Sequence, residues 1–181
     1  YAMRLSYQYW RVTGDTSPFD SEWADAMRLI VKIFRVEQMK DGPSPYRFIR
    51  RTTDMFDAPP FQGEGYPIKP CGLIRSAFRP SDDSTIFGFL IPSNMFAVVE
   101  LRHLAEMFAK VKDLPATAHE CTLLADEVER AIMANAVVRH ERYGQIFAYE
   151  IDGYGNRLFI DDANAPNLVS IPYIGFVPAT D

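Results

Sequence analysis

Histidine and cysteine are scarce: the chain has three histidines (His103, His119, His140) and two cysteines (Cys71, Cys121) in 181 residues. Two cysteines are too few for a disulfide framework and read best as buried thiols, with a single bridge as the alternative. They are compatible with a reducing or an oxidising compartment, so composition assigns neither a cytoplasmic nor a secreted location. None of the His/Cys spacings that hold zinc is present, and no other metal or cofactor is implied. His103 and His140 sit among charged residues of helical stretches, and His119 lies near a helix start. With no GxSxG elbow either, a nucleophilic triad has no support. Glycine-rich phosphate motifs are also missing. Basic residues number 19 against 24 acidic ones, for a net charge of -5. That balance leaves no basic stripe for a nucleic-acid backbone. No apolar run reaches the length of a membrane span, so no membrane partner is expected.

What is present is apolar and aromatic. The sequence is 48% hydrophobic, with nine tyrosines, thirteen phenylalanines and thirteen prolines, and its length is that of one domain. Aromatic rings beside carboxylates and arginines suit a site for a polyhydroxylated ligand. They suit an ordinary core equally well.

Periodicity predicts three or four long helices. Residues 1–12 read as helix, and Tyr1 has no cap before it. Asp20 or Ser21 can cap a second helix, with Glu22 in its first turn. Trp23, Met27, Ile30 and Phe34 recur there at helical spacing, and Ala26, Leu29, Ile33 and Val36 form a neighbouring stripe. The resulting apolar face is wider than a surface helix needs. Residues 41–91 are rich in Pro and Gly, and a loop of that length usually has a function or is disordered. Its many aromatics argue for an ordered binding loop. Pro92 suits the first turn of the next helix. Thr117 and Glu120 read as a capping box for a last helix running to about His140, antiparallel to its predecessor. "GQIFAYEIDGYGNRLFIDD" then alternates, with Phe147, Tyr149 and Ile151 on one side and "DGYGN" as the turn of a small hairpin. The closing "APNLVSIPYIGFVPATD" completes no element. Helices with such wide apolar faces want more partners than these residues supply.

Three polar clusters could carry chemistry. "RPSDD" places Asp82 and Asp83 side by side before an apolar run. Glycosyl transfer needs one protonated acid for the leaving oxygen and a second carboxylate for water or the anomeric carbon. A like charge or burial keeps an acid protonated near neutrality, while Arg75 and Arg79 would oppose this and could instead hold hydroxyls. The plain alternative is a proline turn in which Ser81 and Asp82 bond backbone amides. "FIDDANAPN" gathers Asp161, Asp162, Asn164 and Asn167. These oxygens suit hard cations but miss the calcium-loop spacing, so hydroxyl binding or a capped loop is simpler. "YRFIRRT" supplies Arg47, Arg50 and Arg51, either compensating the carboxylates or forming a solvated face.

"GLIRSAFRPSDDSTIFGFLIPSNMFAVVEL" resembles glycoside hydrolase family 125, the exo-α-1,6-mannosidases. "TGD" at 13–15, "YRFIRRT", "YEIDGYGN" and "DDANAPNLVSIPYIGF" resemble further blocks of that family in the same order, so the resemblance spans nearly the whole chain. It implies an all-α fold, part of an (α/α)6 toroid with one small β-hairpin. Residues 1–181 would be a partial catalytic domain with both ends open, since twelve helices need roughly twice this length. It further implies inverting hydrolysis of terminal α-1,6-linked mannose without a metal, with an α-mannoside oligosaccharide or N-glycan fragment as partner. The general acid falls on Asp83 or Asp82, with Asp83 preferred because it is nearer the apolar run. Arg47, Arg75, Arg79, Asp152, Asp161, Asp162 and Asn164 would line the mannose subsite. The family's base, a glutamate in a "HESF" block, has no counterpart here, so little turnover is expected of these residues alone. Gly63, Glu64 and Gly65 stand where the family tends to carry an aspartate-rich "DGyG"-like turn, which leaves specificity open. A non-catalytic sugar-binding relative and a purely structural helical segment are the rival readings.

Overall fold

The computed structural model describes residues 1–178. Helix α1 (Ala2–Thr13) is stopped by Gly14, whose φ of 70° is left-handed, a conformation glycine adopts at little cost. Helix α2 (Ser21–Glu37) is capped by Asp20, whose carboxylate accepts the Trp23 N–H at 2.8 Å. The indole N–H of Trp23 reaches the Ser6 hydroxyl at 3.0 Å, tying α2 to α1. The first apolar stripe of α2 faces the core, where Met27 is buried and Trp23, Ile30 and Phe34 pack against it. The second stripe does not: Leu29 is 55% exposed. Leu5, Val12, Met133, Val169 and Tyr173 are exposed as well.

The centre of the molecule is α4 (Ile91–Lys110), buried on nearly every side. Such a helix is an inner element rather than an amphipathic surface one. The α5 helix (Pro115–Asn135) folds back along it and contributes Cys121, Leu124, Val128 and Ile132, all fully buried. Full burial of one such aliphatic side chain is worth about 1.5–3 kcal/mol over exposure. An exposed ion pair contributes roughly 0–1 kcal/mol. The α4/α5 seam, rather than the surface charges, therefore holds the domain together.

The expected capping box of α5 is not formed. Pro115 starts the helix, Leu114 is its N-cap without a side-chain bond, and Thr117 lies inside the first turn. Proline's fixed φ suits that first position and moves the start two residues upstream of Thr117. Nor does α5 reach His140. It ends at Asn135, and β2 (Val137–His140) pairs antiparallel with β3 (Gly144–Phe147). The β-branched Val137 and Val138 fit a pleated strand better than another helical turn.

The hairpin expected around "DGYGN" is β4 (Glu150–Ile151) with β5 (Arg157–Leu158). A third strand, β1 (Phe89–Leu90), pairs with β4 and places it in the middle. The simple alternation expected there gives way to continuous burial from Ala148 to Asp152. A middle strand covered on both faces has no solvent side to alternate with. The long excursion 38–88 is ordered and holds only a single turn, α3 (Pro60–Gly63). A last short helix, α6 (Ile171–Ile174), packs on α4, and positions 179–181 lie outside the described residues. Among the described residues no helix is long and apolar enough to cross a membrane.

One residue ties the excursion to the core. Asn94, in the first turn of α4, is 1% exposed. Its amide donates to the carbonyls of Ile74 and Leu90 at 3.0 and 2.9 Å and accepts the Ile74 N–H at 2.8 Å. Replacing it by alanine strands the Ile74 N–H and carbonyl away from water, whereas the Leu90 carbonyl, at the N-cap of α4, keeps its helical bond from the residue 94 N–H. Each stranded group costs about 1–3 kcal/mol, so Asn94→Ala is expected to destabilise by at least about 2 kcal/mol in a denaturant titration. A loss below about 1 kcal/mol would mean that the loop is held in some other way.

Candidate functional site

The "RPSDD" segment is a closed loop. Phe78 and Ser84 bridge its base, the Arg79 N–H bonds the Asp83 carbonyl at 2.7 Å, and the Asp82 N–H bonds the Arg79 carbonyl at 3.1 Å. Such a tight reversal forces Asp82 to a φ of 71°, which aspartate tolerates better than most residues because its short side chain can bond locally. Both aspartates are exposed, so the apolar run does not desolvate Asp83 as its sequence position suggested, but the two face different groups. Asp82 has a side chain 76% exposed, facing the Arg50 guanidinium at 3.8 Å. Asp83 accepts the Ser81 hydroxyl at 3.2 Å and lines a cleft of about 200 Å³. Arg79, Tyr149, Asp161 and Asp162 line the same cleft.

A buried carboxylate not picked out from the sequence positions this loop. Glu150, on β4, is fully buried. One of its oxygens takes the Arg79 Nε–H at 2.6 Å; the other takes the backbone N–H groups of Ile86 and Phe87 at 2.9 and 2.8 Å. A single side chain thus grips both ends of the loop. The Arg79 side chain is 10% exposed. Its second terminal nitrogen, Nη2, is the buried side-chain nitrogen that lacks a protein partner among the described residues. A sequence signal for Glu150 does exist: an acidic residue between Tyr149 and Ile151 in a strand needs a partner if the strand is buried.

The opposite wall comes from the "DDANAPN" loop. Asp161 accepts the N–H groups of Leu168 and Val169 at 2.8 and 3.1 Å. Asp162 accepts the Asn164 N–H at 2.8 Å and the Tyr149 hydroxyl at 3.3 Å. Burial works to raise the Asp162 pKa, but donation from Asn164, Ser81 and Tyr149 outweighs it and holds the carboxyl below its ordinary value. Tyr149 is shifted the other way. Burial, and then the Asp162 charge, push its phenol well above the usual range, so it stays a hydrogen-bond donor.

The remaining sequence candidates do not line this cleft. Asp152 turns its carboxylate into its own turn, accepting the N–H groups of Tyr154 and Asn156 and the Asn156 side-chain amide at 2.8, 3.1 and 2.6 Å. Gly153 follows with a φ of 79°, and a Cβ there would collide with the Lys69 carbonyl, so the turn accepts only glycine. Asn164 is exposed and contributes its backbone N–H to Asp162. Arg47 and Arg75 line a separate cleft of about 560 Å³ with Glu64. Among the described residues no group of three or more His, Cys, Asp or Glu side chains is placed to hold a metal ion.

Comparison with known proteins covers the whole chain. The family model described as "Metal-independent alpha-mannosidase (GH125)" matches residues 1–181. The meiotically up-regulated gene 157 protein of Schizosaccharomyces pombe is 37% identical over 99% of this chain and 37% of its own length. A Streptococcus pneumoniae metal-independent α-mannosidase, solved as a non-productive substrate complex with α-1,6-mannobiose, superposes with a TM-score of 0.94 at 38% identity. That match covers 99% of this chain and 42% of the streptococcal one. The chain thus spans about two fifths of the length of these two relatives, and its fold is the helical core with small sheets found in that enzyme.

Proposed function

This chain belongs to glycoside hydrolase family 125, the metal-independent α-mannosidases, and from that premise we propose that its parent protein removes terminal α-1,6-linked mannose with inversion at the anomeric carbon. The observation that carries the reading is the Asp83 cleft. It sets one accessible carboxyl beside a hydroxyl donor (Ser81), a buried arginine (Arg79) and two further carboxylates (Asp161, Asp162). The mannobiose bound by the streptococcal relative is consistent with a disaccharide of this class as substrate.

In this reading Asp83 is the general acid. Its proton passes to the glycosidic oxygen as the C–O bond to the anomeric carbon breaks, and the leaving sugar departs as an alcohol. Arg79, held by Glu150, fixes the loop that aims Asp83. Tyr149 donates to Asp162, which orients that carboxylate towards sugar hydroxyls. Asp161 and Asp162 are poor candidates for the base. Both are engaged by N–H donors, and Asp162, held below its ordinary pKa, is a weak proton acceptor. The base is therefore assigned to no residue of this chain, and these residues alone are expected to turn over little or nothing. In the full-length protein it would be a carboxylate roughly 6.5–9.5 Å from Asp83, the gap that admits the attacking water.

The test is stereochemical. Proton NMR of the full-length protein acting on α-1,6-mannobiose is expected to show β-mannose as the first-formed product, with the α-anomer growing in later by mutarotation. Initial α-mannose would replace inversion by retention. No release at all would favour a sugar-binding relative.

A further inference from the structure

A hollow of about 390 Å³ lies between α2, the first turns of α5 and the 41–43 turn. It shares no lining residue with the Asp83 cleft. Arg28, Lys32 and Arg35 line it from α2, and their spacing puts all three on one face of that helix. Like charges at such spacing repel and weaken a helix. An acid beside each would offset this, yet only one has an acid. Arg28 pairs with Asp25 at 2.8 Å on the exposed surface. Lys32 and Arg35 form no ion pair among the described residues, and the Arg35 guanidinium reaches only the Glu120 carbonyl, at 3.3 Å.

Acceptors line the same hollow from other elements: Asp41 from the turn, Glu120 and the Thr117 hydroxyl from α5. Neither carboxylate meets a cation or a hydrogen-bond donor among the described residues. Val31, which is buried, and Val36 supply the apolar backing. A solvated face explains unpaired charges on a convex helix. Here unpaired charges of both signs share one concave, apolar-backed space of ligand size.

The lining selects the ligand. Three cations against two carboxylates leave a net positive charge, which favours an anion. A phosphate monoester is close to doubly charged at neutral pH, and its oxygens suit an ammonium and a forked guanidinium together. Ionised carboxylates only accept, so Asp41 and Glu120 suit hydroxyl groups on the body of the ligand. No aromatic ring is among the lining residues, so a nucleobase would have nothing to stack on.

We propose that this hollow binds a phosphate monoester of a small polyol, with the phosphate on Lys32 and Arg35 and the hydroxyls on Asp41, Glu120 and Thr117. The proposal does not depend on the mannosidase reading, since none of these residues belongs to the Asp83 site.

Calorimetry on the full-length protein with glucose 6-phosphate is expected to show one saturable site that weakens as salt is added, while glucose shows none. Lys32→Gln combined with Arg35→Gln is expected to weaken glucose 6-phosphate by about tenfold or more. Both side chains are exposed, so the variant should melt as the unsubstituted protein does. Glu120→Gln probes the hydroxyl side separately. It removes a negative charge, so inorganic phosphate should bind at least as tightly, while the preference for glucose 6-phosphate over inorganic phosphate should fall by roughly threefold or more. Absence of saturable glucose 6-phosphate binding would overturn the proposal, as would unchanged binding in the double variant. Inorganic phosphate bound as tightly as glucose 6-phosphate by the unsubstituted protein would overturn it too, because Asp41 and Glu120 would then recognise nothing.

Discussion

Replacing Asp83 by asparagine in the full-length protein is expected to lower mannose release from α-1,6-mannobiose by about 10²–10⁴-fold, the usual contribution of a positioned general acid. Asparagine keeps the shape of the side chain and its bond from Ser81 but has no proton of suitable acidity to give. The loss should depend on the leaving group. A sugar alkoxide is a poor one and needs the proton; an activated phenolate needs it far less. The same variant is therefore expected to retain much more activity on an aryl α-mannoside with a low-pKa phenol. Asp82→Asn is expected to stay within a few fold of the unsubstituted protein. Asp82 is largely exposed beside Arg50, and asparagine accepts its left-handed φ at least as well. A dead Asp82 variant with an active Asp83 variant would reverse the assignment. Full activity in both would place the acid outside this loop.

The second large effect falls on Glu150. Glu150→Ala leaves Arg79, 10% exposed, as an uncompensated buried cation and frees the N–H groups of Ile86 and Phe87. Breaking a buried ion pair from one side costs about 3–5 kcal/mol. At roughly 2–4 °C per kcal/mol for a domain of this size, the melting temperature should fall by about 10 °C. Replacing both partners, Arg79→Met with Glu150→Leu, is expected to recover much of that stability, because the charge left behind causes most of the damage. It should not recover activity, since the loop then has no anchor. A double variant as unstable as Glu150→Ala would mean that the pair, rather than the stranded charge, supplies the stability.

Much of this was legible in the sequence. The four long helices follow from apolar spacing, the cap at Asp20 lies where local chemistry puts it, and Pro92 sits in the first turn of α4, one residue after its start at Ile91. The "DGYGN" turn was equally readable, since aspartate and glycine leave few other conformations open. The ends of α5 differ from the sequence expectation because Thr117–Glu120 and Val137–His140 each satisfy a local rule that Pro115 and tertiary pairing override. Within the candidate site, Asp83, Arg79, Asp161 and Asp162 were selected by residue type and do converge on one cleft. Arg47 and Arg75 carry the same chemistry yet lie in another. No spacing rule separates them, because the separation is set by how the 38–88 excursion folds over the first turn of α4.

Glu150 marks the boundary most clearly. The residue types needed for sugar chemistry, and the helical faces that bury the α4/α5 seam, are properties of the chain order alone. Hydrophobic periodicity acts over a few turns, and side-chain chemistry is carried by the residue itself. The pairing of Glu150 with Arg79, 71 residues away, is decided only when β4 is enclosed between β1 and β5 and both groups lose their water together. Burial removes the solvent that would otherwise satisfy each charge separately. It turns two unremarkable residues into the clamp that sets Asp83 at the mouth of its cleft and leaves Asp82 outside it.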